Sequence, residues 1–148
     1  MASIHRVLYA SDFSSASRRA FDTAVALAKT SRAVLTVLHV IEPLIPVVPE
    51  QYIPPTTWAE IDKGSRAWAR RQLDALVRKA AKRGVRAKSR LADGIAAEQI
   101  LRAVRAGRAD FLVVGTHGRR GLSKLLMGSV AQHLVAAAPC PVVTVRGK

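Results

Sequence analysis

"AVLTVLHVI", Ala33 to Ile41, is apolar at almost every position and rich in β-branched residues. A strand with one wet face alternates apolar with polar residues. A nearly unbroken run instead fits a strand covered on both faces, as in a parallel sheet. The flanking sequence supports this reading. "RVLYA" (Arg6 to Ala10), "DFLVVG" (Asp110 to Gly115) and "PVVTV" (Pro141 to Val145) are further short apolar runs. "VRAKSRLA" (Val85 to Ala92) alternates apolar with basic residues, which suits an edge strand with one wet face.

Helical spacing fills the intervals. From Ala16 to Lys29 the apolar positions are Ala20, Ala24, Leu27 and Ala28, with Phe21 and Val25 beside them. From Trp58 to Arg83, Ala69, Leu73, Leu76, Val77 and Ala80 share one face, while Arg71, Arg78, Lys79, Lys82 and Arg83 fall mostly opposite. Ile95 to Ala106 and Val130 to Ala137 complete the set. "SDFS" offers Ser11, Asp12 or Ser14 as a cap for the first helix, and Gly84 and Gly107 end the second and third. Five prolines between Pro43 and Pro55 keep residues 42 to 57 out of regular structure, a connection long enough to serve as a cover. The order β-α-β-α-β-α-β-α-β predicts one doubly wound α/β domain over residues 1–148, a parallel sheet with helices on both faces. In such sheets ligands bind beyond the C-terminal ends of the strands, where the strand order reverses direction.

Composition narrows the function. Apolar residues make up 49% of the chain, which indicates a globular protein. The longest apolar run falls well short of a membrane span, and "MASIHRVLYASD" lacks the pattern of an export signal, so a cytoplasmic location and no membrane partner are expected. Cys140, the only cysteine, rules out an internal disulfide or a clustered Cys zinc site; between Pro139 and Pro141 it is a poor nucleophile candidate. The net charge of +14 admits an anionic partner or a solvated basic surface. Between Lys63 and Arg90, eleven Lys or Arg face the single acid Asp74. Aromatics are only 5% of the chain, which argues against base stacking and a specific nucleic-acid site.

"GTHGRRGLSKLLMGSV" (Gly115 to Val130) holds four of the nine glycines. The spacing is Gly115, two residues, Gly118, nine residues, Gly128, Ser129. Bare glycine amides followed by a helix N-terminus can hold phosphate, because the first amides of a helix lack intrahelical acceptors and carry the positive end of its dipole. A turn with a helix cap is the other reading of the same residues. Neither the Walker A spacing nor a dinucleotide fingerprint after the first strand is present. Leu122, Leu125, Leu126 and Met127 are unusually apolar for a loop, so packing on the domain or on a partner subunit is expected. Arg119, Arg120 and Lys124 suit either phosphate neutralisation or a solvated surface.

Gly-x2-Gly-x9-Gly-Ser followed by "VAQHLVAAAPCPVVTV" resembles the C-terminal signature of the universal stress protein family, in its nucleotide-binding branch. "VLYASDFSSAS" and "LTVLHVIEP" resemble its other two marks. The resemblance implies a five-stranded parallel sheet in the order 3-2-1-4-5, ATP as ligand, Mg2+ or Mn2+ accommodated on its phosphates, and a homodimer paired through the last strand. Carried over by position, Asp12 corresponds to the acid near ribose and adenine, with Ala10 and Ser11 beside it, and Val40 to the residue whose backbone meets adenine. Gly115, Gly118, Gly128, Ser129 and Val130 correspond to the phosphate-binding backbone, with Thr116 and His117 on the turn. Asp12 also suits a helix cap, His117 a solvated surface, and His39 a core or hydrogen-bonded histidine. The implied function is a stress-response sensor or regulator acting through its nucleotide state. The alternatives are a basic dimeric interaction module without ATP and, less favoured, non-specific nucleic-acid binding. No Walker lysine, general base or arginine finger stands out, so no efficient ATPase is expected.

Overall fold

A computed structural model describes residues 3–43, 53–116 and 127–147. The elements run β1 (Arg6–Ala10), α1 (Ser15–Ser31), β2 (Val34–Ile41), α2 (Pro55–Lys82), β3 (Ala87–Asp93), α3 (Ala96–Gly107), β4 (Phe111–Gly115), α4 (Ser129–Ala137) and β5 (Val142–Val145). The five strands are all parallel, in the order β3-β2-β1-β4-β5, as the family resemblance implies.

Alternation along the strands divides the core in two. Val7, Tyr9, Leu35, Val37 and Val113 point to one face, where Phe21, Ala24 and Val25 of α1 and Leu73 and Ala80 of α2 cover them. Leu8, Leu38, Leu112 and Val114 point to the other, against Ile100, Leu101 and Val104 of α3 and Leu134 of α4. The middles of β1, β2 and β4 are therefore covered on both faces, which is why their sequences do not alternate. β3 lies at the edge as expected, with Lys88, Ser89 and Arg90 all exposed.

Several boundaries differ from the sequence expectation, each for a local reason. α2 begins at Pro55, so residues 55–57 are helical; a proline in the first turn forfeits no intrahelical bond, because its amide would have had no acceptor. Ser14 caps α1 through its hydroxyl, 3.3 Å from the Ser17 amide, whereas Asp12 Oδ1 accepts from the Ser14 amide at 2.9 Å one step earlier. Gly107 is the last residue of α3, and the left-handed cap falls on Arg108 (φ 48). Arg32 (φ 55) ends α1 in the same way, and only α2 is followed by a left-handed glycine, Gly84 (φ 81). β3 starts at Ala87, because the Val85 amide is tied back to the Ala80 carbonyl at 3.0 Å.

Candidate functional site

The strand order reverses between β1 and β4, whose register pairs Val7 with Phe111 and Tyr9 with Val113. Two residues beyond the last pair, the chain leaves β1 at Ser11 and β4 at Gly115, so the β1 loop and the glycine-rich segment share one sheet edge.

A chain of buried polar contacts builds the β1 loop. The Ser11 amide donates to the Leu38 carbonyl (2.9 Å), which carries β2 alongside past the end of β1. Ser11 Oγ accepts from the Phe13 amide (3.0 Å) and lies 3.2 Å from Ser17 Oγ. Phe13 takes a left-handed φ of 62, an unusual conformation for an aromatic residue, and these bonds hold it there. Tyr9, 1% exposed, donates its hydroxyl to the Ser17 carbonyl at 2.7 Å. His39 Nδ1 donates to the Ser11 carbonyl at 2.7 Å, which fixes the proton on that nitrogen. Its ring stacks on Phe13 (4.2 Å between centroids), and Trp68 meets Phe13 edge-on at 5.3 Å. The expectation of a hydrogen-bonded His39 holds. The aromatic group around it was not anticipated, because its members come from three separate segments.

Burial raises the Tyr9 phenol above its ordinary value, and bonds with Ser11 and Ser17 oppose this only in part. A phenol raised in the folded state contributes stability below pH 10.0 that is lost as the pH climbs through the folded value. Tyr9→Phe is expected to cost about 1 kcal/mol at neutral pH by removing the buried hydroxyl's bond to the Ser17 carbonyl, and to flatten the alkaline decline of stability. Urea unfolding at neutral pH and above pH 10.0 checks both parts.

On the neighbouring side, the Thr116 amide donates to the Val145 carbonyl (3.0 Å) and the Thr116 carbonyl accepts from the Gly128 amide (2.6 Å). Thr116 is buried, and this pair of bonds pins the start of α4 beside the end of β4. Gly128 is the N-cap of α4, and the Gln132 amide makes the first full-turn bond back to its carbonyl at 3.0 Å. The amides of Ser129, Val130 and Ala131 therefore have no intrahelical acceptor. Ser129 and Val130 are exposed. Gly128 has φ −61 and ψ 158, extended values open to any residue, so backbone conformation does not explain why a glycine stands there.

The sheet edge thus brings together Ala10, Ser11, Asp12, Gly115, Thr116, Gly128, Ser129 and Val130. Ala10 and Val40 are half-buried against the α3-side core, Val40 on the far side of β1 from β4. His117, Gly118, Arg119, Arg120 and the leucines at 122, 125 and 126 lie outside the described residues; Met127 packs on the α3-side core. Among the described residues, no group of three or more His, Cys, Asp or Glu could hold a metal, and no helix is long and apolar enough to cross a membrane.

A parallel doubly wound sheet, with a polar loop and a side-chain-free helix N-terminus at its switch point, has the architecture of α/β proteins that bind ligands at that edge. The chain belongs to the universal stress protein family, whose model matches residues 3–146. It is 32% identical to universal stress protein YxiE of Bacillus subtilis over 146 residues, covering 96% of this chain and 99% of that one. Universal stress protein UspA from Lactobacillus plantarum superposes with a TM-score of 0.82 at 25% identity, covering 99% of this chain and all of that one (100%). A universal stress protein family protein from Arabidopsis thaliana, solved with AMP bound, matches with a TM-score of 0.69 at 26% identity, covering 97% of this chain and 92% of that one.

Proposed function

We propose that the protein is a single-domain ATP-binding regulator, a stress-response sensor that acts through its nucleotide state. The observation that carries this reading is Gly128. It caps α4 without a side chain, in a conformation that does not require glycine, beside three helix amides that need acceptors. A nucleotide phosphate meets that need, and a relative of this chain holds AMP. In this assignment Gly115, Gly118, Gly128, Ser129 and Val130 contact the phosphates, with Thr116 and His117 on the turn. Asp12, with Ala10 and Ser11, holds the ribose end, and the Val40 backbone meets adenine. Mg2+ or Mn2+ would be carried by phosphate oxygens and water, a mode that needs no side-chain cage. The site offers binding and charge neutralisation without an evident base, so turnover at most slow is expected.

Mass analysis of nucleotide released from the purified protein tests the reading directly, together with titration of the stripped protein with ATP. No released nucleotide and no titratable ATP binding would leave the basic interaction module as the better account. Asp12→Ala is expected to lower nucleotide affinity by about 1–3 kcal/mol, the size of a lost charged hydrogen bond. An unchanged affinity would reduce Asp12 to its bond with the Ser14 amide, which shapes the loop.

The exposed basic face of α2 is proposed to be solvated. Arg66 already pairs with Asp62 and Asp93, and Arg83 with Asp22 at 2.8 Å. Retention on DNA is expected to vanish between low and moderate salt, as counterion release without base contacts requires. Tight, sequence-selective binding at physiological salt would contradict this. The proposed assembly is a cytoplasmic homodimer through β5.

A further inference from the structure

From the end of the sheet where the strands begin, a groove of about 600 Å³ runs along β3 beside α3 as far as Arg90, whose partner Leu38 pairs with Ala10 at the end of β1. Arg6, Arg32, Arg86, Lys88 and Arg90 line it together with His5, and no acid does. The sheet register gathers these cations. Arg6 pairs with Val34 at the first positions of β1 and β2, and the Arg86 carbonyl accepts from the Leu35 amide at 2.9 Å. Lys88 and Arg90 lie opposite Thr36 and Leu38, and Leu38 faces the α3 side of the sheet. α3 packs most closely on β2 and touches β1 and β3 alike, and the groove opens beside it where Lys88 and Arg90 of β3 remain exposed. Leu8, Thr36 and Ala103 contribute to its wall.

Three observations give this cluster meaning beyond a high net charge. None of the five cations forms an ion pair with an acid among the described residues, whereas Arg66 and Arg83 on α2 do. Asp110, next in space to His5 and Arg6, is already engaged by their backbone amides at 2.7 and 2.9 Å. Helix dipoles do not balance the charge either. The C-terminal ends of α1 and α3 reach the groove at Arg32 and Gly107, and two such ends carry about −1 in total against five unit cations. With the Asp110 carboxylate beside Arg6 counted as well, roughly +3 remains uncompensated in a concave space of small-molecule size.

We propose that this groove is a second anion site, distinct from the glycine segment, for a small polyanion carrying two or more phosphate groups. Arginine forks suit phosphate oxygens, Thr36 adds a hydroxyl donor, and no Phe, Tyr or Trp lines the groove to stack a base. A small ligand fits better than a duplex, because the cations converge on a concavity and do not spread along an outer face.

The test is calorimetric titration of the whole protein with inorganic tripolyphosphate at about 150 mM salt, where surface attraction is screened within about 8 Å. Saturable binding is expected. Lys88→Gln with Arg90→Gln should weaken it about tenfold or more, the loss of two charge-assisted contacts. Arg71→Gln with Arg78→Gln on α2, which removes the same charge, should change it less than about twofold. Backbone amide shifts on titration should move at residues 5–8 and 86–90, a readout that does not depend on the variants. Absence of saturable binding, or equal weakening by the two pairs, overturns the proposal. So does binding that is lost in Gly128→Val and retained in the groove variant, which places the phosphate at the glycine segment. Groove-dependent binding of a duplex of about 20 base pairs at this salt, without tripolyphosphate binding, would overturn it in favour of nucleic acid.

Discussion

Gly128→Val is expected to weaken ATP binding about a hundredfold or more while leaving the fold intact. The backbone at Gly128 is extended, so valine meets no left-handed strain, and its amide can still donate to the Thr116 carbonyl. What valine changes is the space at the mouth of α4. A branched side chain would keep phosphate away from the first-turn amides of Ser129, Val130 and Ala131, which have no intrahelical acceptor. Charge-assisted hydrogen bonds are worth about 1.5–3 kcal/mol each, and losing two gives about the stated factor or more. Calorimetric titration with ATP reads the affinity, and the thermal melt of the ligand-free protein checks the fold. A folded variant that binds ATP as tightly as the parent removes the phosphate assignment altogether.

The second large effect is on assembly: Thr144→Lys is expected to convert a dimer into monomers by light scattering at micromolar concentration. β5 is an outer strand with no charge in it, whereas β3, the other edge, exposes Lys88 and Arg90. Charged side chains blunt an open edge; an uncharged one calls for a partner. The carbonyl of Val145 accepts from the Thr116 amide and that of Pro141 from the Leu112 amide, so both point toward β4. By the alternation of a strand, the backbone groups of Val142 and Thr144 point away from it and are open to a second copy. Val143 makes a poor probe, since it packs on the α1-side core and its loss would mix unfolding with dissociation. Thr144 is half-buried like its neighbours but already polar, so lysine there removes less apolar packing than at Val143 and sets like charges across a two-fold axis. A parent protein that is monomeric at the same concentration would end this account of β5.

The fold was legible because both faces of the inner strands are buried. "AVLTVLHVI" and "FLVVG" could therefore be read as central strands from apolar continuity alone, and "VRAKSRLA" as an edge from its charges. Boundaries were less legible where the rule used was too strict. Proline breaks a helix interior, yet in the first turn Pro55 opens α2; glycine is the usual left-handed stop, yet Arg32 and Arg108 take that role after α1 and α3. In the candidate site, the glycine spacing and Asp12 stand out in the sequence. The joining of Tyr9, Ser11 and Ser17, and the packing of Phe13 face-on against His39 and edge-on against Trp68, do not. Those contacts depend on how β1, β2, α1 and α2 meet in space, which no local pattern encodes.

The strand order has a consequence for synthesis on the ribosome. β1, the first strand to emerge, is the middle strand of the finished sheet. When the nascent chain has delivered β3 and stops short of β4, β1, β2 and β3 can already pair beneath α1 and α2. The flank of β1 that belongs to β4 is still bare, and Leu8 and Leu38 still await α3 and α4. A half-made sheet of this kind presents an open strand edge next to an apolar surface, the combination that invites pairing with a wrong chain. The interval ends only when Phe111 to Gly115 leaves the exit tunnel, so slow translation across α3 prolongs the most aggregation-prone stage of this protein's life.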